Sequence, residues 1–132
     1  MKIKRFTAVI LILSAFLCLF SCGNSIFDTT VEELEAENTW LSHTVYTSEQ
    51  TEQIKSDIVK AGIEIKGEVK SVAHFIKASY PKNTFVYVYE FELTEDAVLF
   101  KKAYADSFDS VKIKDNVVVY GTESDAVDKL NA

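Results

Sequence analysis

From Thr84 to Leu93 the chain alternates, with Phe85, Tyr87, Tyr89, Phe91 and Leu93 on one side and Val86, Val88, Glu90 and Glu92 on the other. A period of two held over this length predicts a strand. Two valines at the start of the second side predict that this side is partly covered as well. Ile63 to Lys77 carries β-branched and aromatic residues on the same period, with Gly67 placed to bend or divide it. Pro81-Lys82-Asn83 marks the turn between the two runs.

Helical spacing appears on both sides of this pair. Thr47 and Gln50 can form a capping box, with Ser48 a competing cap, and Ile54, Ile58 and Ala61 then share one face. Gly62 supplies a left-handed stop, so a helix is predicted over about Glu49 to Ala61. Thr94 is the expected cap of the next helix, with Glu95 and Asp96 at its positive end. Leu93, Ala97, Phe100, Tyr104 and Phe108 make its apolar stripe, and Asp109-Ser110 ends it.

Val111–Lys114 and Val117–Tyr120 read as short strands joined by Asp115-Asn116 in a two-residue primed turn. Thr122 is placed to cap a terminal helix that uses Ala126, Val127 and Leu130. Upstream, Thr30-Val31-Glu32-Glu33 has the form of another capping box, and Val31, Leu34, Asn38 and Leu41 follow at helical spacing. That stripe is thin, which fits either a short helix or a linker. The order from Thr47 onward is helix, strand, strand, helix, strand, strand, helix. It predicts an α+β fold: a mostly antiparallel sheet of about four strands with amphipathic helices packed on one face.

The N-terminus follows a different pattern. Lys2, Lys4 and Arg5 precede an apolar run from Phe6 to Phe20 interrupted only by Thr7 and Ser14. This run falls short of the roughly twenty residues of a comfortable membrane span and has the layout of a secretory signal. A signal cleaved in the ordinary way, or a short uncleaved anchor, would explain charge and hydropathy alone. The ending Leu19-Phe20-Ser21-Cys22 adds something more specific. It resembles the lipobox of bacterial lipoproteins, in which a Leu three residues before and a small residue just before a Cys direct lipidation of that Cys.

The resemblance implies that Cys22 receives a diacylglyceryl group and becomes the mature N-terminus. Two acyl chains give a stable anchor where one gives only marginal binding. The implied location is the extracytoplasmic face of the cell membrane, or an outer membrane in a Gram-negative organism. The expected organisation is a signal over 1–21, a lipidated tether over 22–29, a short helix or linker over 30–44, and one α+β domain over 45–132. With Cys18 removed and Cys22 acylated, no thiol is left for a disulfide, Cys catalysis or a thiolate metal site.

Charge sharpens this picture. The signal contains three of the fourteen basic residues and none of the twenty acidic ones, so the remainder holds eleven Lys against twenty Asp and Glu, a net −9. Arg5 is the only arginine. Nucleic-acid binding relies on clustered cations and is set aside. Anionic headgroups would also repel such a surface, so attachment falls to the acyl chains.

Candidate chemistry is sparse. His43 and His74 stand in no H-x-x-x-H arrangement, and the chain has neither a G-x-S-x-G elbow nor a glycine-rich phosphate loop. No catalytic residue, metal ligand or cofactor is assigned. Glu90 with Glu92, and Glu64 with Glu68, have the parity to gather in pairs, as a small hydrolase, another acid/base enzyme or a calcium module would require. Interspersed Lys66 and Lys70 favour salt pairing on a solvated face. Aromatic residues near predicted element ends are the better lead: Trp40, Tyr46, Tyr80 and Tyr120 would form a recognition surface if exposed together. Such a patch suits a protein, peptide or cell-wall glycan. The expected function is a tethered, non-enzymatic binding or structural module.

Overall fold

The computed structural model describes residues 25–37 and 39–130, so the signal segment and Cys22 lie outside the described residues. The fold is α+β. The elements run α1 (Ile26–Glu35), β1 (Ser42–Val45), α2 (Ser48–Lys60), β2 (Val69–Lys77), β3 (Thr84–Phe91), α3 (Thr94–Ala103), β4 (Ser110–Lys114), β5 (Val117–Gly121) and α4 (Ser124–Asp128). A short 3₁₀ turn, Ala105–Ser107, links α3 to β4. The strands form one open antiparallel sheet in the order β1-β2-β3-β5-β4.

Local signals set several boundaries. Thr47 and Gln50 close the reciprocal capping box of α2, and Gly62 follows at φ 95°. Asp115 takes φ 51° in the two-residue turn between β4 and β5. Gly67 divides its run: Ile63 and Ile65 are buried in irregular chain, and β2 begins only at Val69. The buried Asp96 carboxylate fixes that irregular segment by accepting from the N–H groups of Lys66 (2.9 Å) and Gly67 (2.7 Å).

Helices cover both sides of the sheet, which corrects the expectation of one covered face. Phe27, Val31 and Leu34 of α1, with Ala126 and Val127 of α4 and the following Leu130, bury Ala73, Phe75, Val86, Val88, Val117 and Val119. Ile58 of α2 and Ala97 and Phe100 of α3 lie with Val72, Tyr89, Phe91, Val118 and Tyr120 in a second core. Val86 and Val88 alternate with Tyr87 and Tyr89 along β3, so the cores lie on opposite faces. Val117-Val118-Val119 is apolar on both sides, and a sheet built on such a strand needs two covers.

The first helix departs most from its sequence pattern. Its cap is Ser25, whose Oγ accepts from the Asp28 N–H (3.1 Å), not Thr30. Thr30 sits inside the helix and donates its hydroxyl to the Ile26 carbonyl (2.8 Å). Phe27 joins the stripe and is buried, so the helix begins at Ile26, inside the span expected as tether. Beyond the helix the Trp40 indole N–H donates to the Leu34 carbonyl (2.6 Å), and Ser42–Val45 forms a fifth strand where a helix or linker is expected.

Two expected caps also change. Leu93 takes the N-cap position of α3 without a side-chain bond. Thr122 uses its hydroxyl to accept from the Phe85 N–H (3.1 Å), leaving Glu123 before α4. Gly121 makes that close approach feasible, since a Cβ there would meet the Phe85 carbonyl oxygen at 2.1 Å.

Candidate binding cleft on the aromatic face

Cross-strand register lines up one row of the sheet as Thr44, His74, Tyr87, Tyr120 and Val111. The neighbouring row carries Ser42, Ile76 and Phe85. Both rows belong to the face that α2 and α3 cover, but the cover is uneven. Ile54, Ile58 and Phe100 converge on Tyr89, where they line a small cavity of about 190 Å³ with Ala61, Ile63 and Tyr104. Toward the β2–β3 turn, His74, Ile76, Asn83, Thr84, Phe85 and Tyr87 line an open cleft of about 390 Å³.

The cleft floor is a set of mutually supported rings. His74 stacks parallel on Tyr87 with centroids 4.0 Å apart. Phe85 meets Tyr87 edge-on at 5.6 Å and Phe108 at 5.8 Å. Beside them, on β5, Tyr120 packs on Tyr87 at 5.5 Å and on Phe108 at 4.8 Å. Such tilted and offset packing fixes ring orientation beyond what area burial alone would do.

The floor is electrically neutral at ordinary pH. Burial lowers the pKa of His74, so its imidazole is uncharged and keeps one donor and one acceptor nitrogen. Burial, followed by the Tyr46 hydroxyl as neighbour and hydrogen-bond partner, pushes the Tyr87 phenol well above its usual range. Tyr89 is pushed up to about 12, mainly by burial. Tyr120 rises further for the same reason, aided by its bond to Tyr89. These hydroxyls act as donors and acceptors, not as phenolate bases.

The carboxylates considered from sequence do not meet here. Glu68 accepts from the Lys55 ammonium (2.7 Å), and its N–H donates to Glu92 (3.0 Å). Glu64 and Glu68 precede β2, and the side chain of Glu90 lies in line with Val86 and Val88 on the opposite face. Glu123, just before α4, accepts from Thr84 (2.7 Å) and Lys77 (3.4 Å) and does not line the cleft. Among the described residues no three His, Cys, Asp or Glu side chains gather as a metal set.

The four aromatics singled out from sequence do not share a surface. Tyr80 is 94 % exposed on the β2–β3 turn, just beyond the cleft, and Tyr46 is half-buried beside Tyr87. Trp40 lies on the opposite face, packed on Phe75 at 5.2 Å. Tyr120 is only 2 % exposed and buttresses Tyr87 from the next strand. The sequence marks Phe85 and Tyr87 only as strand residues and gives His74 no partner, yet these three line the cleft. Their signal was an excess: the aromatic row on β3 is longer than the single helical stripe, ending at Phe108, expected to cover it.

The chain matches no protein-family model, no curated protein and no solved structure.

Proposed function

We propose that this protein is a lipid-anchored extracytoplasmic binding module that uses the His74–Tyr87 cleft to hold an uncharged or weakly polar ligand. The observation that carries this reading is the open aromatic floor, buttressed by the neighbouring rings of the same face and bearing neutral hydrogen-bonding groups. Stacking surface plus a few fixed donors and acceptors is the composition of a recognition site. The anchor is Cys22, on the strength of the lipobox. Only Gly23 and Asn24 separate it from Ser25, the cap of α1. At about 3.3 Å per extended residue, acylation there would hold the domain within roughly 10 Å of the bilayer surface. Among the described residues no helix is long and apolar enough to cross a membrane.

Two measurements test this reading. Mass spectrometry of the N-terminus after expression in bacteria should find Cys22 acylated and residues 1–21 gone; an unmodified Cys22 rejects the anchor. Soluble cell-wall glycan fragments and unstructured peptides, titrated separately against the labelled domain, should shift the His74 and Tyr87 resonances with at least one class. His74→Ala and Tyr87→Ala should lose that response by tenfold or more while keeping the fold. Turnover of a small substrate that depends on Glu90, Glu92 or His74 would replace the binding reading with an enzymatic one.

A further inference from the structure

Among the described residues the two edges of the sheet differ, one lined by lysine and the other not. On β4, Lys112 and Lys114 line the edge strand, and the Lys112 ammonium also binds the carbonyls of Asp128 (3.1 Å) and Leu130 (2.6 Å) near the end of α4. Lysines on an edge oppose the addition of another strand. An identical β4 laid alongside would bring like charges together. On β1, Ser42-His43-Thr44-Val45 carries no lysine and no proline, and every residue is exposed. Val45 is 52 % exposed and the adjoining Leu41 63 %.

The hydrogen-bond parity of β1 selects a partner. Tyr46 donates its N–H to the Val72 carbonyl (2.9 Å), and pairing in an antiparallel ladder alternates. Ser42 and Thr44 therefore direct their backbone groups toward β2, while His43 and Val45 direct theirs outward. The flanking amides are engaged: Leu41 donates to the Ile76 carbonyl (2.8 Å) and Thr47 to Gln50 (2.8 Å). An added strand thus meets two outward-facing residues, separated by one.

We infer that the partner is a second copy of this chain, joined β1 to β1 in antiparallel register with Thr44 opposite Thr44 of the second copy. This register pairs His43 with Val45 in both directions and satisfies the outward N–H and C=O of both residues on each strand. Centring on His43 or on Val45 would instead demand the engaged amide of Leu41 or Thr47. No like charges face each other, and the imidazole of His43 is drawn back to Glu35 (3.1 Å). The result is a continuous ten-stranded sheet on which both aromatic clefts share one face. Anchoring in one membrane would raise the effective concentration of the two edges, but the pairing itself does not require the anchor.

The test is a pair of single-cysteine substitutions in the full chain, with the unsubstituted chain as background for Cys18 and Cys22. In this register two Thr44 Cα atoms lie about 4.5 Å apart, within disulfide reach. Two Val45 Cα atoms lie about 8 Å apart, beyond it. Equilibrated with oxidised glutathione, Thr44→Cys should form a covalent dimer and Val45→Cys should not. The unsubstituted protein should show dimer mass in light scattering, and Val45→Lys should return it to monomer with unchanged circular dichroism. Bridging by both cysteine variants or by neither, or monomer mass at every concentration, overturns the proposal. The mass at Cys22 is read separately, so loss of the lipid anchor would not be mistaken for loss of the dimer.

Discussion

The two faces of the sheet use opposite solutions to the same problem of burial. The face under α1 and α4 is built from Ala73, Phe75, Val86, Val88, Val117 and Val119, and these strand residues are buried. The face under α2 and α3 is built from rings, and its helices close only the half around Tyr89 and Phe91. At the other half Phe85 and Tyr87 remain partly open. Small aliphatic side chains pack flush beneath a helix, whereas large rings can support one another and stay ordered without a complete cover. An open floor can therefore be rigid enough to bind.

The contrast breaks most sharply by deleting rings. Phe75→Ala on the closed face and Phe100→Ala on the covered half of the aromatic face should each cost about 3–5 kcal/mol in urea unfolding. A small change at Phe75 would mean that the closed face repacks, and the distinction between faces would fail. Next comes alkaline pH. Tyr89 has its pKa raised to about 12 from an ordinary 10, so the folded state binds more protons than the unfolded chain above pH 10. The contribution of Tyr89 should be level up to about pH 9 and then fall by up to about 3 kcal/mol as pH rises through 10 toward 12, with Tyr87 and Tyr120 adding to the loss. Tyr89→Phe should flatten part of that fall.

Phe85→Ala should cost only about 1 kcal/mol, because the ring is half-exposed and its loss enlarges a cleft already open to water. A cost equal to that of Phe75→Ala would show the cleft to be core. The smallest effect is expected at acid pH. Burial depresses the His74 pKa, so its stabilising contribution is present above the unfolded value of 6.5 and lost as pH falls below it. Its exposure to solvent keeps this slope shallow, and it should vanish in His74→Gln.

The sequence pattern is most faithful where the deciding residues are near neighbours. The capping box of α2, the Gly62 stop, the alternation of β3 and the Asp115-Asn116 turn all match the structure. Phe100 is buried among Tyr89 (4.9 Å) and Phe91 (5.3 Å) as its stripe predicts. The same stripe misleads at Tyr104. The helix ends at Ala103, Tyr104 leaves helical geometry at φ −135°, and it is 43 % exposed. Spacing identifies which residues could share a helix face; it cannot say where the sheet beneath that face ends.

Legible in the residues alone are the α+β element order from α2 onward, the charge balance and the lipobox resemblance on which the anchor proposal rests. Each depends on residues within one helical turn, one hairpin or one short motif. Tertiary structure alone decided that helices cover both faces, that β1 joins the sheet, and that Ser25 starts α1. It also placed Tyr120 beside the cleft under cover, Trp40 on the far face and His74 against Tyr87. The register opposes Thr44 to His74 and His74 to Tyr87 across spans of chain that carry no local signal for one another. Exposure is a property of those pairings: a ring is core or surface according to what lies over it, and that cover comes from elsewhere in the sequence.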